Sequence, residues 1–221
     1  MSTPHPKKIS EFRLLAMDMD STLITIECID EIADFVGKKA AVAAVAEAAM
    51  RGEIDWSTSL RQRVALHAGL DESALQQVYD QRLKLSPGAE TLVAAAKDAG
   101  IYTLLVSGGF TFFTNRLKQR LGLDAAFSNQ LENIDGKLTG RVVGPLCDTD
   151  AKAQHVHDCA QKLGASREQI MVIGDGANDL KMMAVAGTSV AYYAKPIVQA
   201  QATMAINAGG LDEVLRRYPA I

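Results

Sequence analysis

The chain has 221 residues, 48% of them hydrophobic and 22% charged, and a net charge of −3 at neutral pH. That is globular composition, with core material for one domain or for one domain carrying a smaller insertion. The slight acidity argues against a nucleic-acid-binding surface, and no apolar window approaches the length of a membrane span.

Met1 to Ser10 is polar, with Pro4 and Pro6 and no apolar h-region, and reads as a loose N-terminus rather than a signal peptide. Phe12 to Met17 is an apolar run broken only by Arg13 and reads as a buried strand that ends in Asp18 and Asp20. On a strand, side chains two apart share a face, so the two carboxylates are expected to point to one place. Two adjacent like charges are costly unless a cation or a proton lies between them.

The next sixty residues contain no convincing strand. Cys28 to Val36 has helical spacing and stops at Gly37; Lys38 to Arg51 is alanine-rich and stops at Gly52. Asp55 or Ser57 can cap a third helix carrying Leu60, Val64 and Leu66, and Asp71 a fourth with Leu75, Val78 and Leu83. A small helical bundle is therefore expected over residues 25–85, inserted into a core formed by residues 1–24 and 86–221.

Pro87-Gly88 opens a helix to Gly100, and Ile101 to Val106 is a β-rich run ending in Ser107-Gly108-Gly109. A helix over Phe112 to Leu121 follows, then Asp135-Gly136 as a hairpin turn. A helix from about Asp150 to Leu163 leads to Ile170–Ile173 and Gly174-Asp175-Gly176, after which helix Asn178 to Ala186, strand Ser189 to Tyr192 and a short strand near Thr203 to Ile206 complete the alternation. Apolar strands alternating with helices imply an α/β, Rossmann-like core: a parallel sheet with helices on both faces.

Ligands of open α/β sheets bind outside the carboxyl ends of the strands, and there this sequence concentrates its chemistry. Singly, each stretch also reads as an ordinary turn; together they fit phosphoryl transfer. Asp18 and Asp175 can hold Mg²⁺, which prefers oxygen ligands. Ser107 and the amides of Gly108 and Gly109, read at a helix N-terminus, form an anion site, and Lys152 offsets negative charge. A carboxylate can then attack phosphorus, while a second protonates the leaving oxygen and later activates water. The uncatalysed hydrolysis is so slow that acceleration can reach about 10²¹-fold, a barrier that such an electrostatic cluster matches.

Asp18-Met-Asp20-Ser-Thr22, Val106-Ser-Gly-Gly-Phe110, Lys152 and Gly174-Asp-Gly-Ala-Asn-Asp179 resemble the four motifs of the haloacid dehalogenase-like hydrolases, over about Asp18 to Ile206. Within that superfamily the chain resembles the phosphoserine-hydrolysing branch, through Glu27-Cys-Ile-Asp-Glu31, Ser59-Leu-Arg-Gln-Arg-Val64, Asp135-Gly-Lys-Leu-Thr-Gly140 and Ala194-Lys-Pro196. The resemblance implies Asp18 as the nucleophile that becomes an aspartyl phosphate and Asp20 as general acid/base. It implies one Mg²⁺ on Asp18, Asp175 and the backbone carbonyl of Asp20, with Asp179 on the metal's waters. Ser107, Gly108, Lys152 and Asn178 would hold the phosphoryl group.

A phosphorylated amino acid also carries an ammonium and a carboxylate. Glu27 suits the first, and the fork of an arginine suits the second; the resemblance assigns that role to Arg63. Arg61 and Arg63 point roughly 200° apart on a helix, so only one is expected to reach the site. Met50 and Trp56 are expected to supply apolar cover for the closed pocket, and the helical insertion to close as a cap. Transfer of the phosphoryl group to an alcohol such as homoserine, turnover of another small phosphate ester, and a silent phospho-ligand binding module are the alternatives. Asp20 counts against the last.

Cys28, Cys147 and Cys159, odd in number and without a CxxC pair, argue against a disulfide framework or a zinc site and suit a reducing compartment. His155 and His157, two apart on a helix, face different ways, so the four histidines are read as packed or solvated. The protein is expected to be soluble and cytoplasmic, a monomer or homodimer acting on a small molecule, with neither membrane nor nucleic acid as partner.

Overall fold

The computed structural model describes residues 8–219. The first strand, β1 (Leu14–Met17), is buried along its whole length. Leu15 and Met17 enter one apolar cluster while Leu14 and Ala16 enter another, so both faces of the strand are covered. Only a central strand of a parallel sheet needs apolar residues at every position.

β1 lies in the middle of a seven-stranded sheet. It pairs in parallel with β2 (Tyr102–Phe110) and β5 (Ile170–Gly174). Beyond β2 come β3 (Ala125–Ile134) and β4 (Lys137–Val143); beyond β5 come β6 (Thr188–Tyr192) and β7 (Met204–Ile206). All pairs are parallel except β3 with β4, a hairpin whose Asp135 and Gly136 both have positive φ, 51° and 79°, the requirement of a tight two-residue turn. The sequence suggests only the outer end of β3, because Ala125–Gln130 carries no apolar run; its inner end pairs with Leu104–Val106.

The helices fall on two sides. The cluster around Leu15 and Met17 takes buried residues from α5 (Ala89–Asp98), α6 (Thr111–Leu121) and, after β7, α10 (Glu213–Arg217). The cluster around Leu14 and Ala16 takes them from α7 (Thr149–Leu163), α8 (Leu180–Val185) and α9 (Pro196–Gln199). The short α9 and α10 are not expected from periodicity, since neither spans two turns. Residues 1–7 of the expected loose N-terminus lie outside the described residues. Ile9–Glu11 is instead a single 3₁₀ turn whose Ile9 is buried, because the apolar side chain has a core to enter. Among the described residues no helix is long and apolar enough to cross a membrane.

Between β1 and β2 run α1 (Cys28–Phe35), α2 (Lys39–Met50), α3 (Trp56–Ala65) and α4 (Ser73–Gln81). Asp55 caps α3, accepting from the Thr58 amide at 2.9 Å and from its hydroxyl at 2.7 Å. Leu60 and Val64 bury the inner side of α3; each such side chain stabilises by about 1.5–3 kcal/mol.

Two attachments join this insertion to the sheet. At its neck the entering and leaving chains pair, with Thr25 N donating to Lys84 O at 3.0 Å and Ser86 N to Leu23 O at 2.9 Å. At its far end the α3–α4 loop is bonded to the hairpin. Gly69 N donates to Leu138 O, Leu138 N to Leu70 O and Glu72 N to Gly136 O, each at 2.8 Å.

His67, in that loop, is fully buried and neither ring nitrogen has a hydrogen-bond partner among the described residues. Burial pushes its pKa down to about 4 from 6.5. The unfolded chain therefore takes up a proton at a higher pH than the folded one. Stability is full above pH 6.5 and falls as pH drops toward 4, by about 2–3 kcal/mol. Urea titrations across that window are expected to show this loss, and His67→Gln to flatten it. An unchanged slope in the variant would remove His67 as the cause.

Candidate active site

Asp18 and Asp20 meet for a reason other than strand alternation. β1 stops at Met17, and Asp18 continues extended (φ −73°, ψ 163°), its amide donating to Ile173 O at 3.0 Å. The chain then makes a wide turn over Met19–Leu23, with Ser21 left-handed at φ 57° and Ile24 N bonded back to Met19 O. That turn returns the Asp20 carboxylate to the start of α1, where Oδ1 accepts from Cys28 N at 2.9 Å. An anion at a helix N-terminus is stabilised by the helix dipole.

β2 corrects a second expectation. It runs through Ser107–Gly109 to Phe110, and α6 starts only at Thr111, so the glycines lie on an extension of the strand rather than in the helix's first turn. Ser107 Oγ accepts from Gly109 N at 2.8 Å. Gly108 O accepts from Asn129 Nδ2 at 2.8 Å, and Asn129 Oδ1 takes the Cys147 amide at 2.8 Å. Asn129 thus braces the loop from β3; without a recognisable strand pattern around it, the sequence does not single it out. A Cβ at Gly109 would lie 2.7 Å from Asp20 Oδ2, so only glycine lets this strand pass so close to the carboxylate.

These residues surround one cleft of about 200 Å³. Asp18, Asp20, Ser107, Gly108, Asp175 and Asn178 line it from the sheet; Glu27, Trp56 and Arg63 line it from the insertion, with Ile29 and Leu60 as apolar neighbours. Arg61 is exposed. Met50 does not cover the cleft: it is 68% exposed, with its sulfur 3.8 Å from Lys195 Nζ, because the end of α2 stands clear of the cleft. Lys152 is fully buried and sits behind the lining, where its ammonium donates to Asp18 Oδ1 at 2.5 Å and to Asp179 Oδ1 at 2.6 Å. Asp148 caps α7 by accepting from the Asp150 and Ala151 amides, which sets Lys152 in the helix's first turn.

Asp18, Asp175 and Asp179 bring carboxylate oxygens within 4.8 Å of one another. Asp179 Oδ2 accepts from the Asp175 and Gly176 amides, both at 3.1 Å, and Thr22 Oγ1 donates to Asp175 Oδ1 at 3.2 Å. Against three acids stands one buried ammonium, leaving two negative charges in excess. A divalent cation with oxygen preference fits that donor set and that deficit.

Protonation follows from the same crowding. Burial raises the Asp18 carboxyl well above its usual range, and Asp179 and Asp175 add to the rise while Lys152 opposes it. Burial and then Asp179 and Glu27 lift Asp175 to about 7. Asp20 also reaches about 7, through burial and then Glu27. Burial works to lower the Lys152 ammonium, but Asp179 and Asp18 overcome it and keep it charged. Glu27 is open to water in the cleft yet hemmed in by protein. That desolvation raises its carboxyl, and the Ser21 hydroxyl, donating to Oε1 at 2.6 Å, offsets part of the rise.

The family model for the haloacid dehalogenase-like hydrolases matches residues 15–184. The chain is 57% identical over 213 residues to a protein of Polaromonas sp. named phosphoserine phosphatase, covering 94% of this chain and 90% of that one. It is 52% identical over 218 residues to one of the same name from Albidiferax ferrireducens, covering 96% and 92%. A solved structure described as a phospho-aspartyl intermediate analogue of phosphoserine phosphatase superposes with a TM-score of 0.87 at 37% identity, over 94% of this chain and 99% of that one.

Proposed function

The chain belongs to the haloacid dehalogenase-like hydrolases, and from that membership we propose that it hydrolyses O-phospho-L-serine to L-serine and phosphate through an aspartyl phosphate on Asp18. It is thereby a phosphoric monoester hydrolase, the activity for which its relatives are named. One observation carries the choice of substrate. The cleft that holds the two aspartates also holds one acid and one arginine on the insertion, Glu27 and Arg63, which match an amino acid's ammonium and carboxylate.

In this reading Asp18 attacks phosphorus while the Ser107 hydroxyl and the Gly108 amide hold the phosphoryl oxygens. Asp20, with a pKa of about 7, protonates the departing seryl oxygen and then takes a proton from the water that opens the acyl phosphate. Lys152 keeps Asp18 and Asp179 compatible with an incoming phosphate dianion. Asp18, Asp175 and the Asp20 carbonyl would hold one Mg²⁺ per site, which when bound would supply positive charge to the phosphoryl oxygens. Asn178 and Asp179 order what surrounds them. Residues 25–85 act as a cap over the sheet domain, excluding water when closed. The three buried free thiols, Cys28, Cys147 and Cys159, suit a reducing cytoplasm.

Phosphate release from L-phosphoserine, phosphothreonine, phosphoethanolamine and a sugar phosphate, with Mg²⁺ and with EDTA, tests the reading. Mg²⁺-dependent preference for phosphoserine is expected, and turnover without that preference would discard the substrate. Homoserine added to the assay separates hydrolysis from transfer. Arg63→Ala is expected to raise KM for phosphoserine by about 10- to 100-fold, the scale of a lost charge-assisted contact, and to leave phenyl phosphate little affected. Equal effects on both esters would take Arg63 out of recognition.

A further inference from the structure

Arg63 is half-buried, and its Nε is a buried atom without a hydrogen-bond partner among the described residues. A second buried orphan is Asp30 Oδ1. Asp30 stands on α1 between Ile29, which lines the cleft, and Glu31, which holds Arg82. Burial lowers the pKa of the Arg63 guanidinium, with Asp30 and then Glu27 and Asp20 opposing it, and burial raises that of the Asp30 carboxyl, with Arg63 and then Lys39 opposing it. A buried charged donor and a buried charged acceptor are each costly when unmatched, and folded proteins rarely leave both so.

A guanidinium presents two forked edges: one of Nε with a single Nη, the other of both Nη groups. Only the second can grip a carboxylate in the cleft while the first is held by the protein. Glu27 is unsuited to that holding role, since Ser21 already engages it and it serves the ammonium.

We propose that Asp30 is a positioning residue for Arg63: its carboxylate takes the Nε edge through one bridging water and aims both Nη groups at the carboxylate of the substrate. The proposal rests on the reading of Arg63 as the substrate's carboxylate contact. Its competitor is a purely structural role, in which Asp30 is a first-turn acid stabilising the N-terminus of α1.

The test is a double-mutant cycle on the full chain with Mg²⁺, measuring kcat/KM for L-phosphoserine and for phenyl phosphate, an ester without a carboxylate. Asp30→Asn is expected to lower the ratio of the two roughly tenfold, mainly through KM for phosphoserine. In an Arg63→Ala background it is expected to lower the ratio no further, because a residue that acts through Arg63 has nothing left to act on. An equal loss for both esters with a lower melting temperature, or additive losses in the double variant, would overturn the proposal in favour of the helix role. Should Asp30→Asn fail to fold, Asp30→Glu keeps the charge and shifts it by one methylene; a ratio equal to that of the unaltered enzyme would then overturn it. An unaltered enzyme with no preference for phosphoserine removes the reading beneath, whereas a preference that Asp30→Asn leaves intact removes only the proposal.

Discussion

Asp18→Asn is expected to lower phosphate release by about 10⁴-fold or more, the scale seen when a nucleophile is removed and binding is kept. The fold should survive. The amide oxygen still accepts from Lys152 Nζ, which now bonds Asp18 Oδ1 and Asp179 Oδ1. One of three crowded acids is gone, so the melting temperature without metal should equal or exceed that of the unaltered chain. Residual activity within tenfold of the unaltered enzyme would sink the aspartyl-phosphate mechanism.

The largest loss of stability is expected from Lys152→Met. The side chain is fully buried and its ammonium is the counter-charge for Asp18 and Asp179. Removing one partner of a buried ionic cluster leaves uncompensated charge and costs about 3–5 kcal/mol, although methionine fills much the same space. The pH dependence has a definite sign. Asp18 already has a folded pKa raised above its unfolded value by burial and its acidic neighbours, and loss of Lys152 raises it further. A raised folded pKa contributes stability at low pH that disappears as pH rises. The deficit of the variant should therefore be large at about pH 7.5 and shrink toward about pH 5.5 in metal-free urea titrations. A variant as stable as the parent at the higher pH would show that the three acids share protons without needing the ammonium.

Where the sequence carried a local physical signature, the structure could be read from it. The apolar run ending at Met17, the glycine stops of the insertion and the Asp135-Gly136 turn each express a backbone preference that tertiary packing leaves alone. The convergence of Asp18, Ser107, Asp175 and Asn178 on one cleft followed from the rule for open sheets, whereas strand alternation gave the right neighbour for Asp20 for the wrong reason. What escaped were features set by distant neighbours. The turn at Met19–Leu23 re-aims Asp20 through a bond to Cys28, and Asn129 has its role only because β3 lies beside the glycines of β2. Met50 lies outside the cleft here, since an apolar side chain at a helix end says nothing about which way that end points.

The two attachments of the insertion have a mechanical consequence. One is the covalent neck at Leu23–Thr25 and Lys84–Ser86, the other the hydrogen-bonded seam between Gly69–Glu72 and Gly136–Leu138. A body held at two separated points keeps a single rotation, about the line through them, and loses the sideways swings open to one hanging from a neck alone. Helix α2, which packs on α1 and α3 and buries only Val42, carries neither attachment. It is the part of the insertion farthest from both points of restraint, and its end touches the sheet domain through Met50 against Lys195.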